Sequence, residues 1–198
     1  MTVRLGGRWD GPDSRALRVR TDECSEQWCP IAPPANAEHF EQLMIFANVV
    51  LGLCDRLGIS PTLSGSLAVL AYTQRSDLIV DDVDLARAEA EFGRLGRALE
   101  REGIQCATTA WHVLQAHRDG LKVEFDSTEY WMTGLSNRYR RLDTGRFVIR
   151  VVESDDLREL YGRGVRDLEG KSDQAGQRKL RHMKSRWDLL TIADTVED

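Results

Sequence analysis

The chain has 198 residues, of which 41% are hydrophobic and 30% charged, with a formal net charge of −5. Such a composition excludes a disordered chain, and no run approaches the ~18 apolar residues of a membrane helix. The acidic balance excludes a protein coated in positive charge for nucleic acid, but not a local basic face.

Residues 1–35 are irregular, rich in glycine and proline, with short strands expected at Val3–Leu5 and Leu17–Val19. Met1 to Arg20 has no apolar h-region, so no secretory signal is expected and the location reads as cytoplasmic. The four cysteines (Cys24, Cys29, Cys54, Cys106) lack the spacing of a zinc site and read as reduced thiols. Phe40, Leu43, Met44, Ala47, Val50, Leu51, Cys54 and Leu57 recur at helical spacing, predicting a helix over Ala37–Leu57. Asn36 is its expected N-cap and Gly58 its stop.

A short strand, Ile59–Leu63, then enters Ser64-Gly65-Ser66, and Leu67–Tyr72 reads as an apolar helix. After a polar loop comes a strand at Val80–Ala86, a helix at Glu89–Glu102, and strands at Ile104–Thr108, Trp111–His117 and Leu121–Phe125. Asp119-Gly120 marks a tight hairpin. A second hairpin joins Arg138–Leu142 to Arg146–Val152 through Asp143-Thr144-Gly145. Ser154 or Asp155 caps a helix through Tyr161; Gly162, Gly164 and Gly170 are expected to break the chain, and a last helix runs from Asp173 to Ala193. The pattern is α+β, divided into an irregular segment (1–35), a core (36–152) and a C-terminal helical basic segment (153–198). From Arg163 to Arg186 there are eight Lys/Arg against three acids, and a second basic cluster comprises Arg138, Arg140, Arg141, Arg146 and Arg150.

Chemistry concentrates in two strands. Alternation puts Asp82 and Asp84 on one face, with Val83 and Leu85 behind. On the later strand Lys122, Glu124 and Asp126 share a face opposite Val123 and Phe125. Carboxylates at i and i+2 on a strand repel, and the arrangement becomes favourable when divalent cations sit between them. Upstream, Gly65 allows close approach to a phosphate, and the helix behind it presents free N–H groups and a positive dipole end. Ser66 can add a hydroxyl donor.

Leu63-Ser64-Gly65-Ser66, fifteen intervening residues and Asp82-Val83-Asp84, followed by an apolar–acid–apolar strand, resemble the signature of the nucleotidyltransferase superfamily. That superfamily includes DNA polymerase beta, antibiotic nucleotidyltransferases and the AbiEii-like toxins of toxin–antitoxin pairs. The resemblance implies a mixed sheet with helices on one side, two Mg²⁺ ions, and transfer of a nucleoside monophosphate from an NTP such as ATP or CTP. It also implies that Gly65 and Ser66 bind the triphosphate and that Asp82 and Asp84 hold metal. The third acid, Glu124 or Asp126, would be base or metal ligand. Glu124 fits the flanking apolar pattern, although this position is usually Asp. Lys184 and Asp188 at i, i+4 in the last helix resemble a phosphate-binding Lys and its orienting Asp, and Lys179 competes for the role.

For the acceptor, the basic C-terminal third points to the 3′ end of tRNA, and with it a toxin held by a protein antitoxin. The alternative is an antibiotic hydroxyl, for which Glu124, Asp126 and Glu129 would line an acidic pocket.

Overall fold

The computed structural model describes residues 18–20, 28–136 and 138–194; the segments at Val3–Leu5, Leu17 and Cys24 lie outside them. In chain order the elements are β1 (Arg18–Arg20), β2 (Trp28–Pro30), α1 (Ala37–Arg56), β3 (Thr62–Leu63), α2 (Gly65–Thr73), β4 (Val83–Arg87), a 3₁₀ turn (Glu89–Glu91) and α3 (Phe92–Arg101). There follow β5 (Gln105–Thr108), β6 (Val113–Arg118), β7 (Leu121–Ser127), α4 (Thr128–Trp131), β8 (Tyr139–Asp143), β9 (Val148–Val152), α5 (Ser154–Leu168) and α6 (Gln174–Asp194). The strands form one mixed sheet in the order β2-β1-β8-β9-β3-β4-β7-β6-β5. The pairs β3–β9 and β4–β7 are parallel and the rest antiparallel.

One face of the sheet is apolar: Leu63, Leu85, Leu114, Ala116, Val123, Phe125, Leu142 and Val151 are buried. Helices α1, α2 and α3 contact its strands. Burying each such large side chain stabilises by about 1.5–3 kcal/mol. The eight positions expected to line α1 are buried except Leu57, which is half-buried at the cap. Phe46, Asn48 and Leu53 are buried as well, so the buried surface of α1 is wider than a single stripe. Asn48 accepts a hydrogen bond from the Thr144 hydroxyl at 2.8 Å, tying α1 to the β8–β9 loop. Helix α2 is buried from Ser66 to Ala71, as an all-apolar helix must be.

Several boundaries differ from the sequence expectation, each for a physical reason. Asn36 sits at the N-cap position of α1 but makes no side-chain cap. Its amide instead brackets Val80, donating to Val80 O at 2.8 Å and accepting from Val80 N at 3.1 Å. That clamp fixes the extended segment before β4. Asp119 and Gly120 adopt φ of 52° and 80°, the left-handed pair that a two-residue turn between twisted strands requires. The second hairpin closes at Asp143 and Val148, so Arg146 belongs to the loop. Gly162 and Gly164 do not break the chain: both lie inside α5. A Cβ at Gly164 would overlap Met183 Cε, and one at Gly162 would lie 3.5 Å from Trp187 Nε1. The two glycines let α6 cross close to α5.

Candidate active site

Asp84 lies in β4 and Glu124 in β7, and the parallel pairing sets them directly opposite each other. Asp82 precedes β4 at a bend. Carboxylate oxygens of Asp82, Asp84 and Glu124 lie within 4.8 Å of one another. Asp126 is one same-face step further along β7, opposite Ala86. Burial, then the charges of Asp82, Asp126 and Glu124, hold the Asp84 carboxyl well above the usual carboxylate range. Burial, then Glu124 and Asp82, push Asp126 up to about 7, against the opposing charges of Lys122 and Lys179.

Lys122 is a cation within this cluster. Its Nζ lies 2.7 Å from Asp82 Oδ2 and 3.1 Å from Glu124 Oε2. Burial disfavours its charge, but the hydrogen bonds and charges of Asp82 and Glu124 outweigh that and raise its pKa. Gln115 Nε2, across from Glu124 on β6, donates to Glu124 Oε1 at 2.5 Å and orients it.

Gly65 opens α2 directly against these acids. Its φ is +66°, and a Cβ there would overlap the Asp84 carboxylate. Ser64 N donates to Asp84 O at 2.8 Å, which locks the turn to β4. Ser66 is buried, and its hydroxyl meets that of Tyr161 on α5. Burial and the neighbouring Asp84 charge raise the Tyr161 pKa, so the phenol stays neutral.

Helix α6 supplies the basic side. Arg178, Lys179 and His182 line a cleft of about 440 Å³ with Gln174 and Ala175. Lys179 acts electrostatically on Asp126 and His182, and the acids Asp81 and Asp82 act on His182. Burial and the charge of Arg186 nonetheless lower the His182 pKa. Arg186 donates to Ile79 O at 3.0 Å and ties α6 to the segment leading into Asp82. Lys184 and Asp188 are not brought to the carboxylates. Both are exposed and pair neither with each other nor with another described residue. Lys184 is about 200° around the helix from His182. Of the sequence candidates, the structure gathers Gly65, Ser66, Asp82, Asp84, Glu124, Asp126 and Lys179.

Lys122, Gln115, Tyr161 and His182 were not singled out for a role from sequence. Lys122 alone had a local signal, since it shares the strand face of Glu124. The other three reach the site from β6, α5 and α6. Glu129, expected to line an acceptor pocket, is otherwise engaged. Its Oε2 accepts from Glu89 N at 3.0 Å, from the Ser127 hydroxyl at 3.1 Å and from the Thr128 hydroxyl at 3.2 Å.

The donor set suits a hard divalent cation. It is all oxygen, burial and the neighbouring acids hold Asp84 above the usual carboxylate range, and an ammonium already sits between Asp82 and Glu124.

No protein-family profile matches the chain, and no curated protein matches it. Among solved structures, it is similar to ANT(2″)-Ia in complex with adenylyl-2″-tobramycin, at 11% identity and a TM-score of 0.52. That likeness covers 79% of this chain and 99% of the other. A solution structure of the antibiotic-resistance factor ANT(2″)-Ia gives 13% identity and a TM-score of 0.52, over 79% of this chain and 92% of the other. A nucleotidyltransferase-like protein from Paracoccidioides brasiliensis is 13% identical with a TM-score of 0.47, over 78% of each chain. The α+β fold of this chain, a mixed sheet with helices packed on it, is thus similar to that of ANT(2″)-Ia.

Proposed function

We propose that the chain is a Mg²⁺-dependent nucleotidyltransferase that moves a nucleoside monophosphate from an NTP to an acceptor hydroxyl. The observation that carries this is the meeting of Asp82, Asp84 and Glu124 within 4.8 Å, directly against the Gly65 turn that opens α2. Asp82, Asp84 and Glu124 would hold Mg²⁺, with two ions expected. When bound, the metal neutralises charge on the reacting phosphate and on the attacking and leaving oxygens.

The chain's own residues do the rest. The backbone N–H groups at Gly65 and Ser66, backed by the α2 dipole, bind phosphate oxygens. Lys179, which acts on Asp126, and His182, on which Asp82 acts, share the α6 cleft with Arg178 and would hold the polyphosphate against the acids. The acceptor oxygen bonds to the α-phosphorus as the bond from that phosphorus to the bridging oxygen breaks, and pyrophosphate leaves. The hydroxyl proton passes to a carboxylate oxygen of Asp126, which lies one same-face step beyond Glu124 on β7. Gln115 keeps Glu124 turned towards the cluster.

The acceptor we favour is the 3′ end of tRNA, in a toxin held in check by a protein antitoxin. The basic residues from Arg163 to Arg186 support it. A second reading, transfer to an aminoglycoside hydroxyl, is favoured by the likeness in fold to ANT(2″)-Ia. The test is incubation with Mg²⁺, each labelled NTP, and either total tRNA or an aminoglycoside–lincosamide mixture, with an Asp82→Ala/Asp84→Ala blank. Label on tRNA that vanishes in the blank supports the favoured reading. Label only on the drugs selects the second, and label on neither removes both acceptors.

A further inference from the structure

The sheet carries a second row of charge on the same face as the acids. Residue pairing runs Arg141–Arg150–Thr62–Ala86–Asp126 across β8, β9, β3, β4 and β7. Strands lie about 4.8 Å apart, so Arg150 stands roughly 14 Å from Asp126 and Arg141 roughly 19 Å. Burial confirms which way these side chains point. Leu142, Ile149 and Val151, the alternate positions, are buried, whereas Arg141 and Val148 are exposed and Arg150 is half-buried; on this face of β9 Val152, at the strand's end, is buried.

Two features make this row more than a solvated face. Arg141 and Arg150 are directly opposite each other, a like-charge pairing that destabilises a sheet. Arg141 forms no ion pair with any described residue. Arg150 is held in place: it donates to Ser60 O at 3.1 Å and lies over the Tyr139 ring at 5.0 Å. Arg87 donates to the same Ser60 oxygen at 3.3 Å. Arg87 belongs to the opposite face of β4 and pairs with Glu91 at 3.7 Å, whereas Arg150 is ordered and pairs with no acid among the described residues, in a chain whose net charge is −5. One rung further on, Arg18 shares the face and is neutralised by Asp143 at 2.9 Å.

We infer that Arg150 and Arg141 form a track for the phosphate backbone of a single-stranded RNA whose 3′ hydroxyl lies at the acids. This deepens the transferase reading above and rests on it. The cations are strung out along one sheet row that leads to Asp126 instead of converging on one point. That spacing matches successive phosphates of a strand and not a single phosphate group. It repels a polycationic acceptor. The charge complementarity selects the phosphates a few nucleotides upstream of the reacting end, and carries no base specificity.

The test is fluorescence anisotropy of a 5′-labelled single-stranded RNA on the full chain over a range of salt. Wild type is compared with Arg141→Ala, Arg141→Lys and Arg150→Gln, with thermal melting as the check on folding. The melting shift produced by ATP with Mg²⁺ is read in parallel. Arg141→Ala should weaken RNA binding about three- to tenfold and flatten the slope of log K against log salt by about 0.7, the value for one phosphate on a single strand. Arg141→Lys should keep the slope, and the ATP–Mg²⁺ shift should be the same in all four proteins. Unchanged RNA affinity and slope in both Arg141→Ala and Arg150→Gln would overturn the track while the ATP–Mg²⁺ shift preserves the transferase reading. Absence of RNA binding in wild type overturns it as well. RNA binding that depends on Arg141 in a protein with no ATP–Mg²⁺ shift would keep the track and remove the transferase reading instead.

Discussion

The α-carbon of Gly65 rests against the carboxylate of Asp84, so close that a Cβ at position 65 would overlap Asp84 Oδ2. One residue therefore sets both the helix that would bind phosphate and the acid that would hold metal. Gly65→Ala meets two penalties, the clash and a φ of +66°. It should destabilise the protein by about 1–3 kcal/mol and displace Asp84. Thermal melting with and without Mg²⁺ checks this. A variant as stable as wild type with an unaltered Mg²⁺ shift would show that the turn relaxes freely.

Asp84 is pressed by Asp82, Glu124 and Asp126. Asp84→Asn removes one repelling charge together with a metal ligand. Without metal the variant should melt at or above the wild-type temperature, yet nucleotidyl transfer should fall at least about a thousandfold, roughly 4 kcal/mol of barrier. Substantial residual transfer would move the metal elsewhere.

Asp126 gives a pH dependence with a definite sign. Its carboxyl titrates near 7 in the folded protein and near ~3.9 in the unfolded chain. Between those values the folded state binds more protons. Its stabilising contribution is complete below the unfolded pKa and is lost as pH rises through the folded one. In EDTA, stability should therefore decline from about pH 4 to about pH 7. Asp126→Asn should flatten that decline when urea midpoints are compared across the window. An equally steep decline in the variant would assign it to other groups.

Lys122 supplies the positive charge among the acids of the metal-free protein, bridging Asp82 and Glu124. Lys122→Gln should lower the melting temperature in EDTA and enlarge the rise on adding Mg²⁺, because the cation then relieves more repulsion. Titrating Mg²⁺ against both proteins measures the difference. A smaller rise in the variant would mean that Lys122 helps hold the metal.

The elements nearest the chemistry were legible in the sequence because each carries a local signature. Asp82-Val83-Asp84 and Val123-Glu124-Phe125 declare their faces by alternation, and Asp119-Gly120 declares its turn. Gly162 and Gly164 misled because a glycine inside a helix looks like a break until the neighbouring helix is known. Asn36 misled similarly, its amide being claimed by Val80, 44 residues away. Lys184 and Asp188 made a plausible pair by spacing, but only the packing of α6 decides which side of that helix faces the acids.

The sequence by itself determined the two acidic strands and the Gly65 turn, because those depend on the period of a strand and the freedom of one residue. The tertiary structure decided that Asp84 meets Glu124, that Lys122 and Gln115 fix the third acid, and that Lys179 approaches while Lys184 does not. It also decided that Arg150 and Arg141 share a row with Asp126. Those relationships follow from strand register and helix packing, which bring together residues tens of positions apart and leave no trace in local spacing.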